Sequence, residues 1–196
     1  RPTTARSEQK LFPRREGAAR VSLVGPPNSG KSLLLSRLTR ARPQVAPYPY
    51  STFKPEVGMM EYEDIQIQLV DMPPITKERA EYWQLEIIRQ SDLILLVLDL
   101  SSNDPFEDFT GIKSKLEESN ISLIGKGERD DSILGPTNKR TLILANKADL
   151  KGTKETFLIL KELLGNEFPL HTISAEKCTG LEELKDLIFE ELEIIR

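Results

Sequence analysis

The 196-residue sequence predicts an α/β fold in three layers: a mostly parallel sheet of about six strands, one of them antiparallel, with helices on both faces. Three observations carry this expectation. Leu93-Ile94-Leu95-Leu96-Val97-Leu98 is an unbroken apolar run, as expected of a strand buried on both faces of a parallel sheet. Short apolar runs alternate with amphipathic stretches along the chain. Gly25-Pro26-Pro27-Asn28-Ser29-Gly30-Lys31-Ser32 matches G-x-x-x-x-G-K-S, a loop that joins a strand to a helix.

Arg20–Val24 reads as the short buried strand that enters this loop, and Lys31–Thr39 as the helix that leaves it, with Leu34, Leu35 and Leu38 on one face. Glycines let backbone N–H groups curl around a phosphate, and the helix N-terminus adds its positive end. The candidate phosphate cradle is therefore Pro27, Asn28, Ser29, Gly30, Lys31 and Ser32, with Lys31 reaching the β- and γ-phosphates and Ser32 ligating Mg²⁺.

Residues 41–56 hold Pro43, Pro47, Pro49 and Pro55, so they read as a long loop, and loops of that length inside a domain are usually functional. Thr52 lies in it, with a hydroxyl that could reach Mg²⁺ and the γ-phosphate when the loop closes. Met59–Tyr62 and Ile65–Val70 read as a hairpin turning at Glu63-Asp64. The second strand ends at Asp71, an acid at a strand tip beside a phosphate loop, the usual source of the second Mg²⁺ contact. Asp71-Met72-Pro73-Pro74 then breaks the chain. Residues 77–90 read as a helix with Ala80, Trp83, Ile87 and Ile88 inward, Trp83 as core packing.

Asp104 reads as the cap of a helix with Pro105 at its first position and Phe109, Ile112 and Leu116 inward. Residues 119–139 carry Gly125, Gly127, Gly135 and Pro136 and read as an irregular surface excursion with a short pair at Ile121–Ile124. Thr141–Ala145 is another buried strand, running into Asn146-Lys147-Ala148-Asp149. A helix at 154–164, a strand at Leu170–Ile173, the turn Ser174-Ala175-Glu176 and a helix at 180–192 complete the pattern. His171, the only histidine, reads as structural.

The net charge of −4 gives no overall pull toward nucleic acid, though it leaves room for a local basic patch. Residues 1–17 are polar and basic, with Arg1, Arg6, Lys10, Arg14 and Arg15; they read as a solvated leader or the end of a preceding domain, against a nucleic-acid arm. The chain opens on Arg1 rather than Met, so part of the natural chain is expected to precede it. No apolar run approaches the roughly 18 residues of a membrane span, and the single cysteine, Cys178, cannot form an internal disulfide, so a cytoplasmic setting is expected.

The base is chosen by the tetrapeptide at 146–149. The Asp149 carboxylate can accept from guanine N1–H and the exocyclic amine, whereas adenine presents no matching pair of donors. Asn146 can reach the other edge of the base, the Lys147 stem can lie over the ring, and in Ser174-Ala175-Glu176 the Ala175 N–H can donate to guanine O6.

With these motifs in order, residues 18–192 resemble a translation-factor-class P-loop GTPase domain, nearest the Obg family and its DRG branch. GPPNSGKS resembles the family's phosphate loop, YPYSTFKPEVG its first switch, IQLVDMP the strand into its second switch, and NKAD with SAE its guanine-specificity elements. The resemblance implies a GTP-binding domain over 18–196, makes Thr52 the Mg²⁺-sensing threonine, and implies a ribosome or rRNA partner. The closing LEIIR resembles the point where DRG-like proteins run into a TGS domain, so such a domain is expected beyond this chain. The insertion and basic segment of eukaryotic DRG proteins have no counterpart. Asn28 matches an asparagine that in many relatives helps hold K⁺ beside the phosphates; shaping the loop is the open alternative.

One departure bears on mechanism. Where the family has Asp-x-Pro-Gly, this chain has Asp71-Met72-Pro73-Pro74. Pro74 has no N–H for the γ-phosphate and a fixed φ, and Ile75 follows where Ras-like enzymes place a water-orienting glutamine. No side chain is a convincing general base; Lys31, Thr52 and Asp71 would act electrostatically and through Mg²⁺. The expectation is a slow Mg²⁺-dependent GTPase switch that holds GTP and GDP tightly. The competing expectation is a hydrolysis-deficient nucleotide-binding scaffold.

Overall fold

The computed structural model describes residues 13–40, 42–45, 54–128 and 134–193. The first half of the chain forms β1 (Ala19–Val24), α1 (Lys31–Leu38), β2 (Gln44–Val45), β3 (Glu56–Tyr62), β4 (Ile65–Asp71), α2 (Tyr82–Arg89) and β5 (Leu93–Asp99). The second half forms α3 (Pro105–Glu118), β6 (Ile121–Ile124), β7 (Thr137–Asn146), α4 (Thr153–Leu164), β8 (Leu170–Thr172) and α5 (Leu181–Glu191).

All of β5 is buried, and it runs parallel between β1 and β7 at the middle of the sheet. The strand order is β2-β3-β4-β1-β5-β7-β6, with β8 also on β7. β7 is long enough to pair twice along one edge: Thr137–Arg140 meets β6 and Ile143–Ala145 meets β8. Among the described strands only β3 runs against the rest, in a hairpin with β4 whose register joins Glu56 to Asp71 and Tyr62 to Ile65. Eight strands thus stand where about six are expected, with the one antiparallel strand in its expected place.

The sheet divides two apolar layers. α2, α3 and α4 bury Trp83, Ile88, Phe109, Ile112, Leu160 and Leu164 on one face. α1 and α5 bury Leu34, Leu35, Leu38, Leu184 and Ile188 on the other. Trp83 is core, and its Nε1–H donates to Glu81 at 3.2 Å. His171 Nε2 pairs with the Gly180 carbonyl at 2.9 Å, a structural contact.

Two expectations are corrected. The helix expected at 77–90 starts at Tyr82, because Glu81 and Gln84 form a capping box there, while Thr76 and Arg79 exchange backbone hydrogen bonds of 3.0 and 3.3 Å and close a turn ahead of it. Nor is 119–139 all surface: Ile121, Leu123 and Ile124 are buried in β6, and β7 begins at Thr137, inside that stretch. Gly125 follows β6 at a close approach, where a Cβ would fall 1.8 Å from the Glu167 carbonyl oxygen; Lys126 N–H donates to that same oxygen at 2.8 Å.

At the opposite end of the sheet from the phosphate loop, Arg20 is 1% exposed. Its Nε–H donates to Gln68 Oε1 at 2.8 Å and a terminal N–H donates to the Pro13 carbonyl at 2.5 Å. Gln68 in turn donates to the Arg14 carbonyl at 2.8 Å, and the Gly17–Ile67 bridge continues the attachment. Residues 13–17, read from sequence as leader, are therefore bound to β1 and β4 through a buried polar network.

Phe168 is fully buried, edge-on to Phe109 with ring centroids 5.4 Å apart. Phe168→Ala is expected to cost about 3–5 kcal/mol, measured by urea unfolding, because the cavity opens between α3, α4 and the β6 edge. A loss under about 1 kcal/mol would mean that these elements do not share one core.

Candidate functional site

The carboxyl ends of β1, β4, β5 and β7 meet on one rim of the sheet, where parallel α/β sheets bind ligands. The phosphate loop leaves β1 there and α1 begins at Lys31. Gly30 caps the helix at φ 89°, and a Cβ on it would lie 2.4 Å from Asn146 Nδ2, so both the backbone angle and the close packing require glycine. Asn28 adopts φ 61° and is exposed, which gives it a loop-shaping role on its own account. Lys31 is buried; burial pulls its ammonium down from the ordinary lysine range, and Asp71 offsets part of that. Pro27, expected in the phosphate cradle, can shape it but not donate to it. It has no N–H, and it lines a separate cavity of about 250 Å³ on the α3 side of the loop.

Ser32 Oγ–H donates to Asp71 Oδ2 at 2.6 Å. Asp71 is 6% exposed, and its Oδ1 has no hydrogen-bond partner among the described residues. Burial pushes this carboxyl up; the Ser32 hydrogen bond and Lys31 pull against that, and Glu56, opposite it across the hairpin, adds to the rise. A hydroxyl, a carboxylate with an unused buried oxygen and a neighbouring lysine are a donor set that fits Mg²⁺ with phosphate. Thr52, the third expected ligand, lies outside the described residues.

The second-switch segment is held from both sides. Ile75 N–H donates to the Gly25 carbonyl at 3.3 Å, and Gln84 Nε2–H donates to the Pro73 carbonyl at 2.7 Å. Met72 and Ile75 are buried on either side, while Pro74 is exposed between them.

The expected base-reading residues come together. A cavity of about 220 Å³ is lined by Gly30, Leu33, Asn146, Lys147, Asp149, Leu150, Ala175 and Glu176. Ser174 Oγ–H donates to Asp149 Oδ1 at 2.7 Å, which sets the plane of the carboxylate. Asn146 is engaged within the protein: Nδ2–H donates to the Ser29 carbonyl at 2.9 Å, and Oδ1 accepts from Ala175 N–H at 3.1 Å. Its role in the structure is to tie the phosphate loop to the 174–176 loop, and guanine O6 would have to share the Ala175 N–H. Lys147, at φ 69°, is anchored through Nζ to Asp99 Oδ2 at 2.7 Å.

Asp99, Gln84 and Arg37 are site residues that sequence reasoning missed. Asp99 is an acid at the tip of an apolar strand, the same signal that marks Asp71. Gln84 is the third helical residue of an E-x-x-Q capping box. Arg37, in the last turn of α1, donates to the Ala175 carbonyl and carries no comparable signal.

Residues 20–147 match the family model described as "50S ribosome-binding GTPase". GTPase Obg of Bacillus licheniformis is 34% identical over 181 residues, covering 88% of this chain and 39% of that protein. GTPase Obg of Desulfitobacterium hafniense is 35% identical over 175 residues, covering 85% of this chain and 38% of that protein. The chain thus spans about two fifths of the length of these relatives. The G domain of the T. maritima FeoB iron transporter superposes with a TM-score of 0.65 at 26% identity, covering 89% of this chain and 99% of that one. Aquifex aeolicus Era bound to GDP and AlF4⁻ superposes at 0.66 and 20% identity, covering 91% and 58%, a likeness of fold.

Burial alone would push the Asp99 carboxyl up, but hydrogen bonds from Lys147 and Ser101, together with the Lys147 charge, outweigh it and hold it below the ordinary range. A lowered folded-state value adds stability above the unfolded value and loses it as pH falls through the folded one. Wild type should therefore exceed Asp99→Asn in urea stability by a constant margin down to about pH 4, and the margin should close below that. A margin that stays flat through pH 3 would show that the Lys147–Asp99 pair contributes no such stability.

Proposed function

The chain belongs to the 50S ribosome-binding GTPase family, and on that premise we propose that it is a guanine-nucleotide switch domain that hydrolyses GTP slowly with Mg²⁺ and acts on a ribosomal or rRNA partner. The observation that carries the reading is the joining of two sites by one side chain: Asn146 bonds both Ser29 of the phosphate loop and Ala175 beside the base cavity. A nucleotide with its base against Asp149 then has its phosphates at Lys31. The single, exposed Cys178 accords with a cytoplasmic setting.

Ser32 and Asp71 would hold Mg²⁺, with Thr52 as the further ligand the resemblance implies; the ion supplies positive charge to the phosphate oxygens. Lys31, buried beside Asp71, adds a second positive charge at the phosphate oxygens. Ile75 is apolar and buried, so acceleration rests on positioning and electrostatics rather than on a base. Asn28, exposed at the loop, is the residue through which K⁺ would act.

A second reading, a nucleotide-stabilised scaffold with negligible turnover, is favoured by the second switch. Pro74 has no N–H for the γ-phosphate, and its neighbours are bonded to Gly25 and Gln84.

Single-turnover GTP hydrolysis by wild type and Pro74→Gly, in K⁺ and in Na⁺ at equal ionic strength, separates the readings. The switch reading expects slow hydrolysis by wild type and a rise of about tenfold or more in Pro74→Gly at unchanged GDP affinity. A rate that falls in Na⁺ supports K⁺ beside Asn28. No hydrolysis by either protein, with GDP still held and ribosomes without effect, supports the scaffold.

A further inference from the structure

Ala175 is gripped at both ends of its peptide units. Its N–H donates to Asn146 Oδ1 at 3.1 Å, and its carbonyl accepts from Arg37 Nε–H, also at 3.1 Å. The two grips come from different places. Asn146 stands at the end of β7 and is bonded to the phosphate loop. Arg37 stands in the last turn of α1, the helix that begins at the phosphate loop itself.

Ala175 is 1% exposed, whereas Arg37 is on the exposed face of α1. Among the described residues the Arg37 side chain makes no ion pair, and its one hydrogen bond is this one, 138 residues away in sequence. The Cys178 thiol, at 3.8 Å from the same carbonyl, is a weaker donor. The carbonyl of Ala175 and the N–H that guanine O6 must share lie on the same residue, so a donor that fixes one fixes the aim of the other.

We infer that Arg37 is a positioning residue for base recognition: it holds the 174–176 loop at the height where the Ala175 N–H meets the 6-oxo group of the purine. This rests on the reading of the site as a guanine pocket. It predicts a selective fault. Losing Arg37 blurs recognition at position 6 of the base, and leaves recognition at position 2, which belongs to Asp149, as it was.

Two substitutions isolate the donor. Arg37→Gln keeps an N–H donor at the same number of bonds from the backbone as Arg Nε, and Arg37→Met keeps the length without the donor. Affinities and dissociation rates would be measured for GDP, for 6-thio-GDP, whose sulfur is the poorer acceptor, and for IDP, which lacks the 2-amino group. Arg37→Met should release GDP about two- to tenfold faster, the range expected for one net hydrogen bond, with a smaller preference for GDP over 6-thio-GDP and an unchanged preference for GDP over IDP. Arg37→Gln should keep both preferences.

Melting temperatures without nucleotide accompany each measurement. If Arg37→Met binds weakly only in step with a lowered melting temperature, and keeps the 6-thio-GDP ratio, Arg37 is a fold contact and the inference fails. If the ratios of Arg37→Met match wild type, it also fails while the guanine pocket stands. Should wild type hold ADP as firmly as GDP, the pocket reading falls, and the inference with it.

Discussion

The side-chain amide of Asn146 is the contact on which the site depends. It is buried at the tip of β7, where it satisfies the Ser29 carbonyl with one end and the Ala175 N–H with the other. A buried amide left half-paired is costly, so the two loops are held at one spacing. On the function proposed above, a nucleotide would lie across that spacing, its base at one loop and its phosphates at the other. Gly30 belongs to the same arrangement, because any side chain there would displace the amide. The sheet serves this contact: the parallel register of β7 on β5, and of β5 on β1, carries Asn146 to within reach of a loop that starts more than a hundred residues earlier.

What could be read from sequence follows from how each element is stabilised. β5 was legible because burial on both faces forces an unbroken apolar run, and α3 because Asp104 and Pro105 mark its start. The phosphate loop was legible because its chemistry constrains residue type at fixed spacing. β6 was legible as the short pair at Ile121–Ile124, but its partner was not, because Thr137–Arg140 is polar. The start of α2 was misplaced because Lys77-Glu78-Arg79-Ala80 has ordinary helical composition, and only the Glu81–Gln84 reciprocal cap stops it. Within the site, the candidate nucleotide contacts come from motifs, whereas Arg37 meets Ala175 through a tertiary contact that no local pattern records.

The second-switch segment illustrates how a single imino acid alters its surroundings. A glycine at position 74 would leave a flexible joint with a free N–H. Here Pro74 projects outward, and the residues beside it are drawn inward, Met72 and Ile75 into the core. The Gly25 carbonyl and the Gln84 amide then fix the backbone on both flanks. Any movement of this segment must break the two hydrogen bonds that hold it to Gly25 and Gln84.

The Arg20 network has a practical consequence for anyone choosing where to begin an expressed fragment. A start at residue 18 looks natural, since β1 opens at Ala19. Such a cut would remove the carbonyls of Pro13 and Arg14, and so strip acceptors from a guanidinium and an amide that are each 1% exposed in the intact chain. The smallest fragment that keeps these hydrogen bonds at this end of the sheet therefore includes Pro13.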